Sequence, residues 1–487
     1  MSPYEQFLRD HPDYASTGAL DELRAREYSR LDAQAQVYLD FTGAGLHAAS
    51  QVQQHVEMLS SQVLGNPHSV NPSSLAMTRQ VEDARAAVLE HFNARGDYTA
   101  IFTLNASGAL KLVGEAYPFA PGGRLLLTAD NHNSVNGLRE FALNKGAAVD
   151  YAPLTWPELR IDQPTLAAKL AQPTGTAPRL LAFPAQSNFS GVKHPLSLVA
   201  HAQAQGWQVL LDAAAFVPTN ALDLRAVRPE FVVMSFYKMF GYPTGVGCLL
   251  VRKDALPTLR RPWFGGGTVN FATVQGRMHV LSEGEAGFED GTLNFLSVPA
   301  VKIGLQHLQR VGLDMIQTRV HGLTAWLLQQ LLALRHGNGR PMVRLYGPAD
   351  MRERGGTITM NFYDPAGQLV DYRRIEELAA AARISLRTGC FCNPGAGETA
   401  EGLTEDDMRA GIAAVGREIN LSRFLGVMQQ RGGKSAGAIR ISVGLASNFA
   451  DAQHFIDFAG QLRDQTALTV GTVSFDIENC RVVRDSG

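Results

Sequence analysis

Short apolar runs alternate with amphipathic stretches through the first half of the chain. The runs are TAIFTL (99–104), GRLLLT (123–128), RLLAFP (179–184), WQVLLD (207–212), FVVMS (231–235) and VGCLLV (246–251). Between several of them lie segments of helical spacing, such as SGALKLVGEAY (107–117) and NSVNGLREFALNKG (133–146). Apolar runs of this length bounded by polar turns read as buried strands. Their alternation with helices predicts an α/β unit with a mostly parallel sheet. Residues 1–35 read as a helical arm, expected to pack against a smaller unit later in the chain. A helical stretch at 297–335 leads into that unit, and the tail LTVGTVSFDIENCRVVRDSG (468–487) fits neither pattern.

Length adds one constraint: 487 residues exceed a single simple core and suit a large unit plus a small one. The expected division is 36–300 for the large unit, 301–467 for the small one and 468–487 for an extension. A net charge of -2 with no charged tail points away from nucleic acid and anionic membranes. The start, MSPYEQFLRDHPDYAS, has no apolar signal core, and no apolar run reaches the roughly 18 residues of a membrane span. The expectation is a cytoplasmic protein. Four cysteines are too few for a disulfide framework. Cys248 sits in an apolar run and reads as a packed thiol, Cys480 carries little information, and Cys390 and Cys392 form a close pair.

Open α/β sheets bind ligands at the carboxyl ends of their strands, and polar residues follow several of the runs there. In SFYKMFGYPTGVG (235–247), Lys238 follows a strand and precedes a Gly-rich turn. It reads either as a solvated surface lysine or as a Schiff-base lysine, whose amine must be partly desolvated before it attacks an aldehyde. Ser235 and Tyr237 place hydroxyls beside it. Asp212 ends a wholly apolar strand. A buried carboxylate needs a partner; a protonated pyridine nitrogen is one, and a helix N-cap before AAAF is the other reading. Asn105, Ala106 and Ser107 stand between a strand and a helix, where main-chain amides bind phosphate or a cap simply closes the turn. His132 lies at another strand end, as a stacking ring or as a loop histidine.

Together these residues resemble the pyridoxal-phosphate (PLP) enzymes of fold type I. The chain resembles most closely the class V aminotransferases, within them the cysteine desulfurase branch and the PLP domain of the molybdenum cofactor sulfurases. The resemblance rests on YLDFTGAGL (38–46), GNPHS (65–69), NHNSV (131–135), LLDAAA (210–215), SFYKMFGYPTG (235–245), FGGGTV (264–269), FEDGTLNF (288–295) and RTGCFCNPGA (387–396). It implies a large domain with a mostly parallel seven-stranded sheet and a smaller α+β C-terminal domain. Lys238 would hold PLP and shuttle the α-proton, Asp212 would pair with the ring nitrogen, and His132 would stack on the ring. Ala106, Ser107, Ser235 and Tyr237 would bind the phosphate. Thr268 would reach the phosphate of the partner subunit in a homodimer. Asn188, Arg440 and Arg387 would face the substrate carboxylate, as a guanidinium fork matches a carboxylate.

The resemblance places Cys392 at the nucleophile position of the desulfurases and matches Cys390 to an additional cysteine of the cofactor-sulfurase branch. It implies removal of sulfur from L-cysteine as a Cys392 persulfide, release of alanine, and an acceptor such as the molybdenum cofactor or another biosynthetic molecule. The segment NPGAGETAEG (393–402), rich in glycine and small residues, reads as a mobile loop for such a thiol. The pair also admits a redox reading, though a disulfide at that spacing is strained, a metal-ligand reading without a second Cys/His cluster, and an inert one. The alternative activity is another outcome on a cysteine-like amino acid: C–S lysis, sulfinate removal with carbon–carbon bond formation, selenocysteine lysis or epimerisation.

Overall fold

The structure is a computed structural model that describes residues 2–172, 175–415, 435, 437–466, 474–476 and 481–483. All six apolar runs are strands of one seven-stranded sheet. Its strands are β1 (Tyr98–Thr103), β2 (Arg124–Thr128), β3 (Ala148–Ala152), β4 (Arg179–Pro184), β5 (Gln208–Asp212), β6 (Phe231–Ser235) and β7 (Gly247–Arg252). The order across the sheet is β1-β7-β6-β5-β4-β2-β3. Neighbours from β6 to β3 pair in parallel, and β7 alone runs against both β1 and β6. β3 was not among the apolar runs. It is an edge strand whose side chains are mostly half-exposed, so burial did not demand a continuous apolar sequence there.

Alternation along the strands splits the core in two. Leu125 and Leu127 join one cluster with Leu110 and Val113 of the helix Ala106–Ala116, whereas Leu126 faces the other cluster. Both faces of the sheet are therefore covered, as a parallel sheet requires.

A second sheet contains β8 (Val343–Tyr346), β9 (Thr357–Phe362), β10 (Arg387–Gly389) and β11 (Ala438–Ser442), ordered β8-β9-β11-β10 and antiparallel throughout. The helical stretch before it is two helices, Pro299–Val311 and Leu313–Ala333. They part at Gly312, whose φ of 87° is open to glycine at little cost. Residues 3–33 fold largely as short helices that dock on this region. Phe7 is buried edge-on to Trp326 and 4.7 Å from the ring of Phe449. Arg319 donates to Asp21 at 2.8 Å, and Arg24 reaches Asp451. In the tail, 474–476 and 481–483 pair antiparallel; Cys480 lies outside the described residues. Among the described residues no helix is long and apolar enough to cross a membrane.

Candidate active site

A cavity of about 180 Å³ opens at the carboxyl ends of the central strands. Its lining includes Ala106, Ser107, His132, Gln186, Asp212 and Lys238, together with Asn188, Ser235 and Tyr237. Nearly all the strand-end residues singled out from the sequence thus meet in one place. The turn carrying Lys238 is clamped from the N-terminal side. Gly45 donates to the Tyr237 carbonyl at 3.0 Å, and a Cβ on Gly45 would stand 2.9 Å from the Lys238 carbonyl, so a side chain there would displace the lysine.

Desolvation holds the Lys238 amine below its ordinary pKa. Asp212 pulls the other way, and the positive Arg440 and Arg387 add to the lowering. Asp212 is buried, with one oxygen accepting from Ala214 N–H at 3.0 Å. His132 Nδ1 accepts from Ser134 N–H at 3.1 Å, which puts the proton of the neutral ring on Nε2. Burial lowers its pKa, Asp212 opposes this, and Lys238 and Arg440 reinforce it. Asn105 caps the helix Ala106–Ala116 through Gly108 N–H. Ala106 N–H donates to Ser235 Oγ at 2.8 Å, and the Ser107 and Ser134 hydroxyls stand 2.6 Å apart. Hydroxyls and a helix N-terminus are thereby gathered at one end of the cavity.

The arginines are organised by a residue that the sequence reading quoted within a motif but gave no role. Asp40 is buried, accepts from Arg440 on Oδ1 at 3.0 Å and from Arg387 Nε on Oδ2 at 3.0 Å. Arg440 also donates to the Asn188 carbonyl at 3.0 Å and lies over the Phe391 ring at 4.8 Å, and its buried Nε has no partner. Burial lowers its pKa against the pull of Asp40. Gln186 is a second residue without an earlier role; it lines the cavity with a buried, unpartnered Oε1. Nothing local marked Asp40, because its partners lie hundreds of residues away. Gln186 stands two residues beyond the end of β4, and that position was the available signal.

The cysteine segment is tied down. Phe391 is buried 5.5 Å from the Phe189 ring. The Asn188 side chain donates to the Phe391 carbonyl at 2.8 Å and accepts from Asn393 at 2.9 Å, and Asn393 also donates to the Asp130 carbonyl at 2.6 Å. The Cys392 carbonyl accepts from Asn133 N–H at 2.6 Å, next to His132. Phe391 and Cys392 both have φ of 54°, a conformation that non-glycine residues adopt only when surroundings impose it. The thiols of Cys390 and Cys392 are exposed and free.

One expectation changes here. The segment after Cys392 is not a mobile loop: Pro394–Glu401 is a helix, capped by Asn393 and begun by proline, and Gly395 packs on the Ala129 carbonyl. The expected flexibility was inferred from small residues, and the cap outweighs it. Arg387 is held on Asp40. Thr268 lies outside the cavity; it is buried, and its hydroxyl closes a turn with Gly265. Cys248 is fully buried, as its apolar run suggested, and burial drives its thiol far up.

The donor set fits PLP. A buried carboxylate suits a protonated ring nitrogen, a neutral imidazole suits a ring face, hydroxyls beside a helix N-terminus suit a phosphate, and a desolvated lysine suits an aldehyde. The unpartnered Gln186 Oε1 inside the cavity is an acceptor still to be satisfied.

Comparison with known proteins agrees with the fold. The family described as aminotransferase class-V matches residues 37–455. The chain is 39% identical over 494 residues to a molybdenum cofactor sulfurase of Solanum lycopersicum, covering 94% of this chain and 59% of that one. The human molybdenum cofactor sulfurase is 37% identical over 466 residues, covering 91% of this chain and 51% of that one. The chain thus spans little more than half the length of these relatives. Among solved structures, the apo cysteine desulfurase of Thermococcus onnurineus NA1 has a TM-score of 0.74 at 22% identity, covering 91% of this chain and 97% of that one. A cysteine desulfurase of Escherichia coli has a TM-score of 0.71 at 20% identity, covering 93% and 99%. Sheet, cavity and matched span lead to one conclusion: the chain belongs to the aminotransferase class-V family.

Proposed function

We propose that the chain is a PLP-dependent cysteine desulfurase that moves sulfur from L-cysteine onto Cys392, releases alanine and passes the sulfur to an acceptor. The observation that carries this reading is the exposed Cys392 thiol on a segment bonded to Asn133, adjoining His132 and the cavity of Lys238. The similarity to molybdenum cofactor sulfurases favours the molybdenum cofactor, or another biosynthetic molecule, as the acceptor.

In this reading Lys238 bonds the cofactor, Asp212 faces its ring nitrogen and His132 its ring. Ala106, Ser107, Ser235 and Tyr237 hold the phosphate. When bound, the cofactor would supply an electron sink that acidifies the substrate Cα proton. Burial and the neighbouring arginines lower the Lys238 pKa, which favours the neutral amine that takes that proton. The Cys392 thiolate then attacks the substrate sulfur, the S–Cβ bond breaks with its electron pair passing to the carbon skeleton, and protonation of that carbon leaves alanine. His132 stays neutral near pH 7 because burial lowers its pKa. Arg440, steadied by Asp40 and the Asn188 carbonyl, pairs with the substrate carboxylate, with Asn188 and Arg387 beside it. The pinned segment from Phe391 to Asn393 presents Cys392 without a large search.

The same reading makes the chain a homodimer, with Thr268 serving the phosphate site of a second copy. Supporting this, residues 263–281 expose Trp263, Phe264, Phe271, Met278, Val280 and Val274, the last at 96% exposure. Free exposed thiols suit the reducing cytoplasm.

Product analysis by mass spectrometry tests the activity over cysteine, selenocysteine, cysteine sulfinate and cystine. Alanine from cysteine, with sulfide released under reductant, is expected. Pyruvate and ammonia instead of alanine would show a lyase, and racemised substrate an epimerase.

A further inference from the structure

A groove of about 490 Å³ lies where the N-terminal arm, the helix Leu313–Ala333 and the turn before β9 meet the seven-stranded sheet's loops. His11, Lys193, Asn220, Gln317, His321 and Arg354 line it. It is separate from the cofactor cavity, although Gly355 of its lining packs against the Gln186 side chain.

Arg354 is the reason to look further. It is 3% exposed, and no carboxylate pairs with it among the described residues. One guanidinium nitrogen donates to the Pro348 carbonyl and another to the Thr357 carbonyl at 2.7 Å, while the buried Nε has no partner. Burial pulls its pKa down to about 9. A buried, uncompensated guanidinium is costly unless an anion joins it. Two more groups are underused. The buried His11 Nε2 has no partner. Lys193 is half-buried and makes a single long contact, 3.4 Å to Asn220 Oδ1, an oxygen that also accepts from Gln317 at 3.0 Å. Glu353, the acid that acts on Lys193, is bonded to Arg160 at 3.0 Å. Asp10 and Asp13 line the groove too, both exposed on the arm, and Asp10 accepts from Gln6. Their charge favours a small anion over an extended polyanion.

We propose that this groove binds a small oxyanion, a phosphate or carboxylate group held by Arg354 Nε–H, the Lys193 ammonium and His11 Nε2–H. Its ligand touches the arm, the turn before β9 and the loop after β4 together. Occupancy would therefore brace the seam between them.

The test is calorimetric titration of the PLP-loaded protein, in which the cofactor's phosphate site is already filled, with inorganic phosphate and, separately, with succinate. Saturable binding of either is expected, and the one that binds identifies the source of the oxyanion. Lys193→Ala and Arg354→Gln should each weaken it at least about tenfold, as loss of a charge-assisted hydrogen bond does. Arg440→Lys should leave it unchanged. Lys193 is half-exposed, so its variant keeps the test valid if Arg354→Gln fails to fold. No saturable binding of either anion, undiminished binding in Lys193→Ala, or binding lost in Arg440→Lys would overturn the proposal.

Discussion

Asp40 and Arg440 stand 400 residues apart in the chain and 3.0 Å apart in space. The same carboxylate holds Arg387 on its other oxygen. It fixes one guanidinium of the proposed substrate site while leaving the Arg440 Nε unpartnered. Asp40→Asn keeps the shape and removes the charge. We expect kcat/KM for cysteine to fall about tenfold or more, mostly through KM, since a hydrogen bond to a charged group contributes roughly 1.5–3 kcal/mol. The visible absorbance of bound cofactor should not change. Steady-state kinetics check this; tighter cysteine binding in the variant would mean that Asp40 competes with the substrate for Arg440.

Asn393 joins the cysteine segment to the body of the protein through Asn188 and the Asp130 carbonyl, and it caps the next helix. Asn393→Ala should lower thermal stability by about 1 kcal/mol, the usual cost of a lost cap. It should slow alanine formation while cofactor binding persists. Asn188→Ala should act on the same step, and the double variant should be less impaired than the product of the single effects, because both remove one contact. Strictly multiplicative effects would show that the pair is not a unit.

Much of this was legible in the sequence. Six strands announced themselves because both sheet faces are buried and demand apolar residues in succession. Lys238, Asp212 and His132 were found because they end such strands. Asp40 escaped because a single acid in YLDFTGAGL gains meaning only from guanidiniums brought in by β10 and β11. The helix Pro394–Glu401 was misread from its small residues, although the Asn-Pro start is itself a helix signal.

Burial depresses the His91 pKa to about 4, from an ordinary value of 6.5. Between those values the unfolded chain binds a proton that the folded chain refuses. Stability is therefore intact above pH 6.5 and is lost as pH falls toward 4, by about 3 kcal/mol from this residue alone. Chemical denaturation at pH 7 and pH 4.5 should show the loss, and His91→Gln should reduce it. An equal loss in the variant would place the acid sensitivity elsewhere.

The exposed apolar segment 263–281 should be covered by a second copy. Light scattering is expected to give twice the chain mass for the native protein and a smaller species for Phe271→Glu combined with Val280→Glu. A native monomer at working concentration would remove the basis for Thr268 acting across an interface.

The account rests most heavily on Cys392. The PLP-loaded protein should be mixed with one equivalent of L-cysteine without reductant, blocked with an alkylating agent, digested and mapped by mass spectrometry. One additional sulfur atom on the peptide containing Cys390 and Cys392, located by fragmentation to Cys392, is the predicted result. Cys392→Ala should lose it, and with it alanine formation, while keeping the cofactor's absorbance. Alanine formed at the native rate by Cys392→Ala would contradict the central claim.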